Sequence, residues 1–332
     1  MNSPVMDPMM PASLRLHLKH APVVLADAGA AGGVHPRWSI FGPSELQVLG
    51  FEPDVRAFDK LPKQQDLFWV NAALGANSED VDLLVTMHQT NTSLLSPNRA
   101  VIDRVYQNPS DFDVVKSLRV PCTTLDASSQ KFDLKITSLK ADTQGTELAI
   151  LQGAENCLSQ SLHVVELEVE FSQLYAEQPL FAEVDIFMRE RGFMLFDLGN
   201  LLCHKWRRSA HIVGRKGQLI AADALYFRTP ESFSTLCKIS LDPVAELARY
   251  WAGCAVYGYV DLAFEMALEL IKLQTLPEKV VEDIVKWEKT VNRRSMFSLT
   301  RGRGRTANLL RNVADKVDAV RHSHWLNPLG NP

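Results

Sequence analysis

The sequence "VVLADAGAAGGVH", residues 23–35, leads from an apolar run to an acidic residue, Asp27, and then to a cluster of glycines. Such a run is typical of a buried strand, and the glycines indicate a tight turn before the next element. A turn of this kind leaves backbone N–H groups and free space at the carboxyl end of a parallel sheet, where open α/β folds bind their ligands. The stretch therefore predicts an α/β domain with a ligand site directly after its first strand.

The charge of Asp27 separates the ligands that such a turn could bind. A phosphate loop of the Walker type needs the sequence Gly-Lys-Ser/Thr, which is absent here. A dinucleotide turn continues from the strand into Gly-x-Gly-x-x-Gly so that pyrophosphate lies on a helix N-terminus, and a carboxylate would repel that group. Asp27 instead favours a ligand with a cationic amino-acid end, such as S-adenosylmethionine, which carries an ammonium and a sulfonium group. For Asp27 alone, a helix N-cap remains the alternative.

A second acid, Glu52, ends the next apolar run of the chain. In nucleotide-binding α/β folds, an acid at this place accepts hydrogen bonds from ribose hydroxyls. Asp27 and Glu52 together therefore indicate an adenosine-containing ligand with a positive charge, and they do so more strongly than either acid alone.

The apolar segments predict the organisation of the chain. Eight of them read as strands, several apolar on both faces as in a sheet that helices cover on both sides: 22–27, 46–52, 67–74, 81–86, 136–142, 163–171, 193–198 and 222–228. Residues 145–158 and 179–192 carry apolar residues at helical spacing, and helix formers predominate after Pro230. We predict a doubly wound, mostly parallel α/β domain over 21–230, an N-terminal arm over 1–20 and a helical C-terminal extension over 231–332.

Composition narrows the class of protein. With 46% hydrophobic and 22% charged residues, the 332-residue chain is that of a globular protein, and a net charge of -4 gives no overall attraction to nucleic acid. Its five scattered cysteines contain no Cys-x-x-Cys pair, which favours reduced thiols and no zinc site. Neither an uninterrupted apolar core at the N-terminus nor a run of roughly 18 apolar residues is present, so we expect a cytoplasmic protein.

The extension contains a basic segment. Residues 286–321 carry ten Lys and Arg against three acids. Its central part, residues 293–311, could contact an anionic lipid, a glycan phosphate or RNA, and a solvated helix face is the alternative. Since the chain as a whole is acidic, no nucleic-acid partner is expected.

Several ordered blocks of the sequence resemble the FkbM-type methyltransferases, a branch of the class I S-adenosylmethionine-dependent enzymes. They are "DAGAAGG" (27–33), "GFEPD" (50–54), "NTSLLSPN" (91–98), "VPCTTLDA" (120–127), "LKADTQGTELAILQGAENCL" (139–158), residues 164–198 and "ADALYFR" (222–228). The resemblance implies a seven-stranded sheet whose last strand is antiparallel, S-adenosylmethionine as methyl donor, and a hydroxyl acceptor on a sugar, a glycan or a polyketide-type product. Ala31 replaces the middle glycine of the class-wide turn, but a small side chain still permits close approach of the cofactor.

The cofactor-binding residues are expected at the ends of the strands. We assign this role to Asp27, Gly29, Ala30, Gly33, Glu52, Pro53, Asn71 and Asp142. Asn71 would border the adenine, with a turn asparagine as the alternative. Asp142 would lie beside the methyl group, either holding the amino group of the cofactor or acting in catalysis.

The candidate catalytic residues are carboxylates. A hydroxyl acceptor benefits from a general base as it attacks, and the candidates are Asp142, Glu147 and Glu168. The strand period of two also places Glu166 and Glu170 on the face of Glu168. For Glu147, a charge that complements the start of a helix is the alternative. Such a group of acids could hold a divalent cation, but their spacing does not require one, and no metal is predicted.

Acceptor contacts are predicted from two polar segments. The first contains His88, Asn91 and Ser93, and the second, residues 203–218, places Trp206 and Arg207 among further cations. An aromatic ring beside a cation suits stacking on a sugar and binding of phosphate, and a solvated basic hairpin is the alternative.

A second class of function stays open at this stage. A binding or scaffold protein could retain the methyltransferase core while the helical extension performs its function. A nicotinamide-dependent oxidoreductase is the weaker competitor, because no Tyr-x-x-x-Lys pair suited to hydride chemistry is evident.

Overall fold

The structure is a computed structural model that describes residues 9–42, 44–213 and 216–300, with the backbone alone for 292–300. The side chains of residues 293–311, the central part of the basic segment, therefore lie outside the described residues. The strands, in chain order, are β1 (Val23–Ala28), β2 (Leu46–Phe51), β3 (Leu67–Val70), β4 (Ala73–Leu74), β5 (Val81–Thr86), β6 (Val114–Val120), β7 (Cys122–Thr123), β8 (Ser138–Ala141), β9 (Val164–Glu170), β10 (Phe193–His204) and β11 (Gln218–Arg228).

Seven of these strands form the central sheet, in the order β3-β2-β1-β8-β9-β11-β10. Strand β11 runs antiparallel to both of its neighbours, β9 and β10, while the other pairs are parallel. This confirms the predicted doubly wound, mostly parallel sheet with an antiparallel last strand. Because β1 lies between β2 and β8, the turns that follow these three strands meet at one edge of the sheet.

The structure differs from the prediction around residues 67–123. The segment predicted as one strand over 67–74 is two, since β3 ends at Val70 and β4 pairs with β7 outside the central sheet. Strand β5 also stays outside it and pairs antiparallel with β6, which the sequence pattern missed. The first residues of β6, Val114 to Ser117, are all exposed, so the strand has no alternation of buried and exposed residues.

The helices, in chain order, are α1 (Ala12–Leu18), α2 (Val55–Phe58), α3 (Arg99–Val105), α4 (Leu125–Phe132), α5 (Glu147–Gln152), α6 (Glu155–Gln160), α7 (Phe181–Glu190), α8 (Pro230–Ile239), α9 (Pro243–Tyr257), α10 (Val260–Lys272) and α11 (Glu278–Thr300). The helix predicted over 145–158 is divided at Gly153, where a Cβ atom would lie 2.1 Å from the backbone oxygen of Gly75. Across the described residues, no helix combines the length and apolar composition that crossing a bilayer requires.

One face of the sheet is covered by helices from both ends of the chain. The turn after β1 is followed by a short 3-10 helix, Pro36–Ile40, in place of a long α-helix. The apolar face of β1 therefore packs against α1 and α9, and Leu14, Leu25 and Trp251 belong to one buried cluster. A parallel sheet needs cover on both faces, and here the C-terminal helices supply it on this side.

A buried carboxylate, Glu246 of α9, joins these helices to the loops before β8 and β9. Its oxygens accept hydrogen bonds from Lys135 Nζ at 2.5 Å, His163 Nε2 at 3.1 Å and Arg249 Nη1 at 3.4 Å. Burial by itself raises the pKa of the Glu246 carboxyl, but the hydrogen bonds from His163 and Lys135 outweigh it and hold the pKa at about 2. Burial lowers the pKa of His163 to about 4, so His163 is neutral at pH 7 and donates through Nε2.

We expect Glu246→Gln to lower the free energy of unfolding by about 3 kcal/mol, because it leaves the nearby Arg249 charge buried without its partner. Glu269→Gln is the matched control, since Glu269 pairs with Lys272 on the surface and both side chains are exposed. Its effect should stay below about 1 kcal/mol. Urea unfolding followed by circular dichroism measures both, and equal losses for the two variants would contradict the assigned role of Glu246.

Candidate active site

A first crevice opens at the edge of the sheet where β1, β2 and β8 end. Its wall includes Gly29, Ala31, Glu52, Pro53, Ala72, Ser93 and Asp142. The empty volume is about 860 Å³, part of it open to solvent.

The turn after β1 depends on Gly29. Its φ of +81° lies in the left-handed region, and a Cβ atom on it would stand 2.0 Å from the carbonyl oxygen of Asp142. The N–H groups of Gly29 and Ala30 each donate to Phe51 O of β2 at 3.2 Å. Because Gly29 has no side chain, the turns after β1, β2 and β8 can meet. The predicted cofactor ligand Ala30 is buried beneath these turns and does not line the first crevice or the second crevice described below.

Glu52 lies in the first crevice, and its backbone carbonyl accepts a hydrogen bond from a side chain outside the crevice. One carboxylate oxygen accepts from Asp54 N at 2.8 Å, and burial raises the pKa of the carboxyl to about 7. Asn71 does not line the crevice, because its side chain donates to the carbonyls of Glu52 at 2.8 Å and Pro53 at 3.2 Å. The structure thus supports the alternative for Asn71, a residue that fixes the turn.

A second crevice adjoins the first, and Gly29 and Asp142 belong to the walls of both. Its wall also includes Asp27, Gly33, Arg37, Lys140, Glu166, Glu168, Asn200 and Asp223. The two crevices adjoin as one candidate site, with a more apolar space on one side and a more polar space on the other.

Asp27 lies in the second crevice beside a cation that sequence reasoning missed. Lys140 Nζ is 3.8 Å from Asp27 Oδ1 and 3.5 Å from Asp142 Oδ2. Asp27 is only 4% exposed, and Oδ1 accepts no hydrogen bond from the described residues. Burial raises the pKa of Asp27 to about 6 although Lys140 opposes the shift. The signal was available, because Lys140 stands two residues before Asp142, on the same side of the strand.

Glu147 is placed outside both crevices. Its buried carboxylate accepts from Thr143 N at 2.7 Å, Thr143 Oγ1 at 2.8 Å and Gly145 N at 3.0 Å. These bonds hold the turn that carries Asp142 at the start of α5. The structure therefore corrects the catalytic assignment of Glu147, whose contacts are those of a positioning residue.

The side chains of Asp142 and Glu168 are joined by Gln144, another residue that the sequence analysis missed. Gln144 Nε2 donates to Glu168 Oε2 at 2.5 Å and to Asp142 Oδ1 at 3.3 Å. Tyr175 in turn donates to Gln144 Oε1 at 3.1 Å and fixes the amide. Burial, together with the charges of Asp142 and Glu170, raises the pKa of Glu168 well above its usual range.

The two neighbours of Glu168 on β9 differ in their surroundings. Glu166 accepts from Arg37 Nη1 at 2.7 Å and from the hydroxyl of Tyr257, at the end of α9, at 2.8 Å. Glu170 is buried away from both crevices, and burial raises its pKa to about 9. Of the three acids predicted on one face, Glu166 and Glu168 reach the second crevice.

The predicted acceptor contacts are scattered. Ser93 lines the first crevice and donates to Gln144 O at 2.7 Å. His88 is exposed and bonds to a neighbouring threonine, while Asn91 donates to Asp111 O at 3.4 Å. Neither of the latter two side chains reaches a crevice, which is a correction to their assignment.

Trp206 and Arg207 are likewise outside both crevices. They follow β10, where Trp206 Nε1 donates to Gln218 Oε1 at 2.9 Å and Arg207 Nε donates to Asp103 O at 3.1 Å. The structure thus corrects the prediction that they line the acceptor site. Within the part of the chain that the structure describes, no group of three or more His, Cys, Asp or Glu is arranged to hold a metal ion.

The sheet order, the antiparallel β11 and the acids at the ends of β1 and β2 define a Rossmann-like methyltransferase domain. Residues 27–195, just over half of the chain, match the family model described as the methyltransferase FkbM domain. The chain belongs to this family, and its cofactor is S-adenosylmethionine. A search of curated proteins gives no match.

Solved structures of three methyltransferases resemble the chain at low identity. A methyltransferase FkbM from Methylobacillus flagellatus is 15% identical with a TM-score of 0.34, and the alignment covers 62% of this chain and 44% of that one. A putative RNA methyltransferase from Pyrococcus horikoshii is 11% identical with a TM-score of 0.29, over 65% and 80% of the two chains. A magnesium protoporphyrin IX methyltransferase from Synechocystis with bound S-adenosylmethionine is 10% identical with a TM-score of 0.28, over 65% and 77%. This chain thus spans less than half the length of the Methylobacillus protein.

The residues of the site fit the cofactor. Asp27 has a buried carboxylate oxygen that accepts no hydrogen bond from the described residues, and the ammonium of Lys140 lies near it. These opposite charges match the ammonium and the carboxylate at the amino-acid end of the cofactor. Glu52 offers a carboxylate to the ribose hydroxyls. Gly29, which has no side chain, lies in the walls of both crevices. The bound cofactor supplies a methyl group already activated by a sulfonium.

We expect Gly29→Ala to weaken binding of S-adenosylhomocysteine by tenfold or more, because its methyl group would collide with the Asp142 carbonyl in the wall shared by both crevices. Gly32→Ala is the matched control from the same turn, since a Cβ there meets nothing within 4 Å. Isothermal titration calorimetry gives both dissociation constants, and thermal unfolding checks that both variants fold. Unchanged affinity in Gly29→Ala would place the cofactor elsewhere.

The affinity for S-adenosylhomocysteine should depend on pH through Asp27. Since the ammonium needs an ionised partner and the pKa of Asp27 is about 6, the dissociation constant should rise about tenfold per pH unit below pH 6. Asp27→Asn should bind more weakly at neutral pH and lose this steep dependence. Titrations between pH 5 and pH 8 measure the effect, and a variant with the wild-type pH profile would exclude Asp27 from cofactor binding.

Proposed function

We propose that this protein transfers the methyl group of S-adenosylmethionine to a hydroxyl oxygen of a sugar, a glycan or a polyketide-type acceptor. The observation that carries the proposal is the second crevice, which meets the first at Gly29 and Asp142. A cofactor with its adenosine in the first crevice and its amino-acid end at Asp27 would present its methyl group near this junction, and the part of the second crevice around Glu168, Asn200 and Asp223 would receive the acceptor.

The chemistry requires alignment and a destination for one proton. Methyl transfer is an in-line displacement, so the protein has chiefly to hold donor and acceptor at near-attack distance. As the acceptor oxygen forms its bond to the methyl carbon, its proton must leave. Asp142 lies at the junction, is 46% exposed and keeps its Oδ2 within 3.5 Å of Lys140 Nζ. We assign the role of general base to Asp142.

The lining of the second crevice favours an acceptor with several hydroxyl groups. Glu168 offers its carboxyl oxygens to an acceptor. Asn200 donates to Asp223 Oδ2 at 2.5 Å, and this bond fixes the side chains of Asn200 and Asp223 in the wall of the crevice. Carboxylates and amides arranged in this way can form hydrogen bonds with a polyol in more than one direction. Gln144, fixed by Tyr175, keeps Glu168 in place beside Asp142.

The scaffold alternative would leave the site free to degenerate, and the described residues show the opposite. Gly29, Glu52 and Asp142 all line one crevice, and Asp27 lies in the adjoining one. An intact cofactor site supports an enzyme. Calorimetric titration with S-adenosylmethionine, S-adenosylhomocysteine and NAD separates the classes, because the scaffold should bind none and an oxidoreductase should bind NAD.

Asp142→Asn should lower kcat for methyl transfer by about 10²- to 10⁴-fold while the dissociation constant of S-adenosylhomocysteine changes little. The assay uses methyl-labelled S-adenosylmethionine with panels of glycans and hydroxylated polyketides, and nuclear magnetic resonance locates the methyl group. Asp82→Asn is the control, since Asp82 is an exposed carboxylate that pairs with Arg119 on β5 and β6.

Three outcomes would contradict the proposal. Label on nitrogen in place of oxygen would assign a different acceptor chemistry. An Asp142→Asn variant that loses cofactor affinity but keeps its turnover would make Asp142 a cofactor ligand. Binding of S-adenosylmethionine with no transfer to any member of either panel would favour a non-catalytic role.

A further inference from the structure

The loop between β10 and β11 carries an unusual set of exposed apolar side chains. We call its described residues, 201–213 and Lys216, the hairpin tip. Leu201 is 58% exposed, Trp206 52%, Ile212 58% and Val213 101%. Single exposed apolar residues are common on protein surfaces, but four within one loop indicate a contact surface.

The hairpin tip is also basic. No Asp or Glu occurs between Asp197 and Asp223, whereas the described part of this stretch contains Lys205, Arg207, Arg208 and Lys216. The chain as a whole has a net charge of -4, so these cations form a local patch of the opposite sign. A partner for this surface must be both anionic and able to receive apolar side chains.

The hairpin tip is held in a defined orientation on the site side of the sheet. Because β10 runs parallel to β9 and β11 runs antiparallel to both, the loop leaves the edge where the crevices open. Trp206 donates to Gln218, Arg104 stacks on its ring with 5.2 Å to the centroid, and Arg207 donates to Asp103 O. Asn200, immediately before the tip, lines the second crevice.

We propose that the hairpin tip docks on the surface of a bilayer that contains anionic phospholipids. Tryptophan and aliphatic side chains partition into the boundary between headgroups and acyl chains, and flanking lysines and arginines meet the lipid phosphates. A nucleic acid would satisfy the cations but would leave Ile212 and Val213 in water. Docking in this orientation brings the opening of the second crevice next to the membrane, where an acceptor with a lipid anchor would lie.

The test uses the full chain and sedimentation with vesicles of phosphatidylcholine and phosphatidylglycerol in equal amounts, or of phosphatidylcholine alone. We expect binding to the anionic vesicles, weaker binding at high salt, and little binding to the neutral ones. Ile212→Ser with Val213→Ser should reduce the partition coefficient by tenfold or more. Arg208→Glu with Lys216→Glu should reduce it at least as much, on the order of fivefold per charge removed.

The matched control is Ile239→Ser with Leu241→Ser, because these side chains are 77% and 106% exposed beside α8, outside the hairpin tip. This variant should bind as the wild type does, and thermal unfolding shows whether each variant is folded. Wild-type binding by both tip variants would assign the contact to another part of the chain and overturn the proposal. Failure of the wild-type protein to bind anionic vesicles would also overturn it. If the protein instead binds a single-stranded RNA in a separate titration, the basic surface would be assigned to nucleic acid. The readout is lipid binding, so the result is independent of the proposed methyl transfer.

Discussion

The whole site depends on the close approach of two turns at Gly29. The N–H groups after β1 are anchored on β2 through Phe51 O, and the absent side chain of Gly29 leaves room for the carbonyl of Asp142 after β8. This contact brings the acids that end three adjacent strands to one edge of the sheet. It also places Gly29 and Asp142 in the walls of both crevices, so that a cofactor and an acceptor could meet at this junction.

Sequence patterns predicted the central sheet well because five of its strands, β1, β2, β8, β9 and β11, are largely buried on both faces and contain long apolar runs. They failed where burial is incomplete. The exposed start of β6 has no pattern to detect, and nothing in β5 distinguishes a strand of the central sheet from one that pairs beside it. The partner of an apolar helix face is equally invisible in sequence, so the packing of α9 on β1 was not foreseen.

In the candidate site, the sequence indicated the positions of the residues at the ends of strands, namely Asp27, Glu52 and Asp142, which line the crevices. Lys140 was missed because a cation inside a buried strand has meaning only once its neighbours across the sheet are known. Glu147 was assigned to catalysis because its hydrogen bonds to the neighbouring turn cannot be read from the sequence. Both of its carboxylate oxygens accept hydrogen bonds from the turn before its own helix, and the side chain is buried there.

The C-terminal helices contribute a hydrogen bond to the site through Glu166. This acid of the second crevice is shared by Arg37, from the turn after β1, and the hydroxyl of Tyr257, which lies 62 residues beyond the end of the family match at residue 195. The end of the family match and the end of the chain that lines the site are therefore different. A gene fragment trimmed to residues 27–195 would encode neither β11 nor this hydroxyl, and it would lack the first four residues of β1.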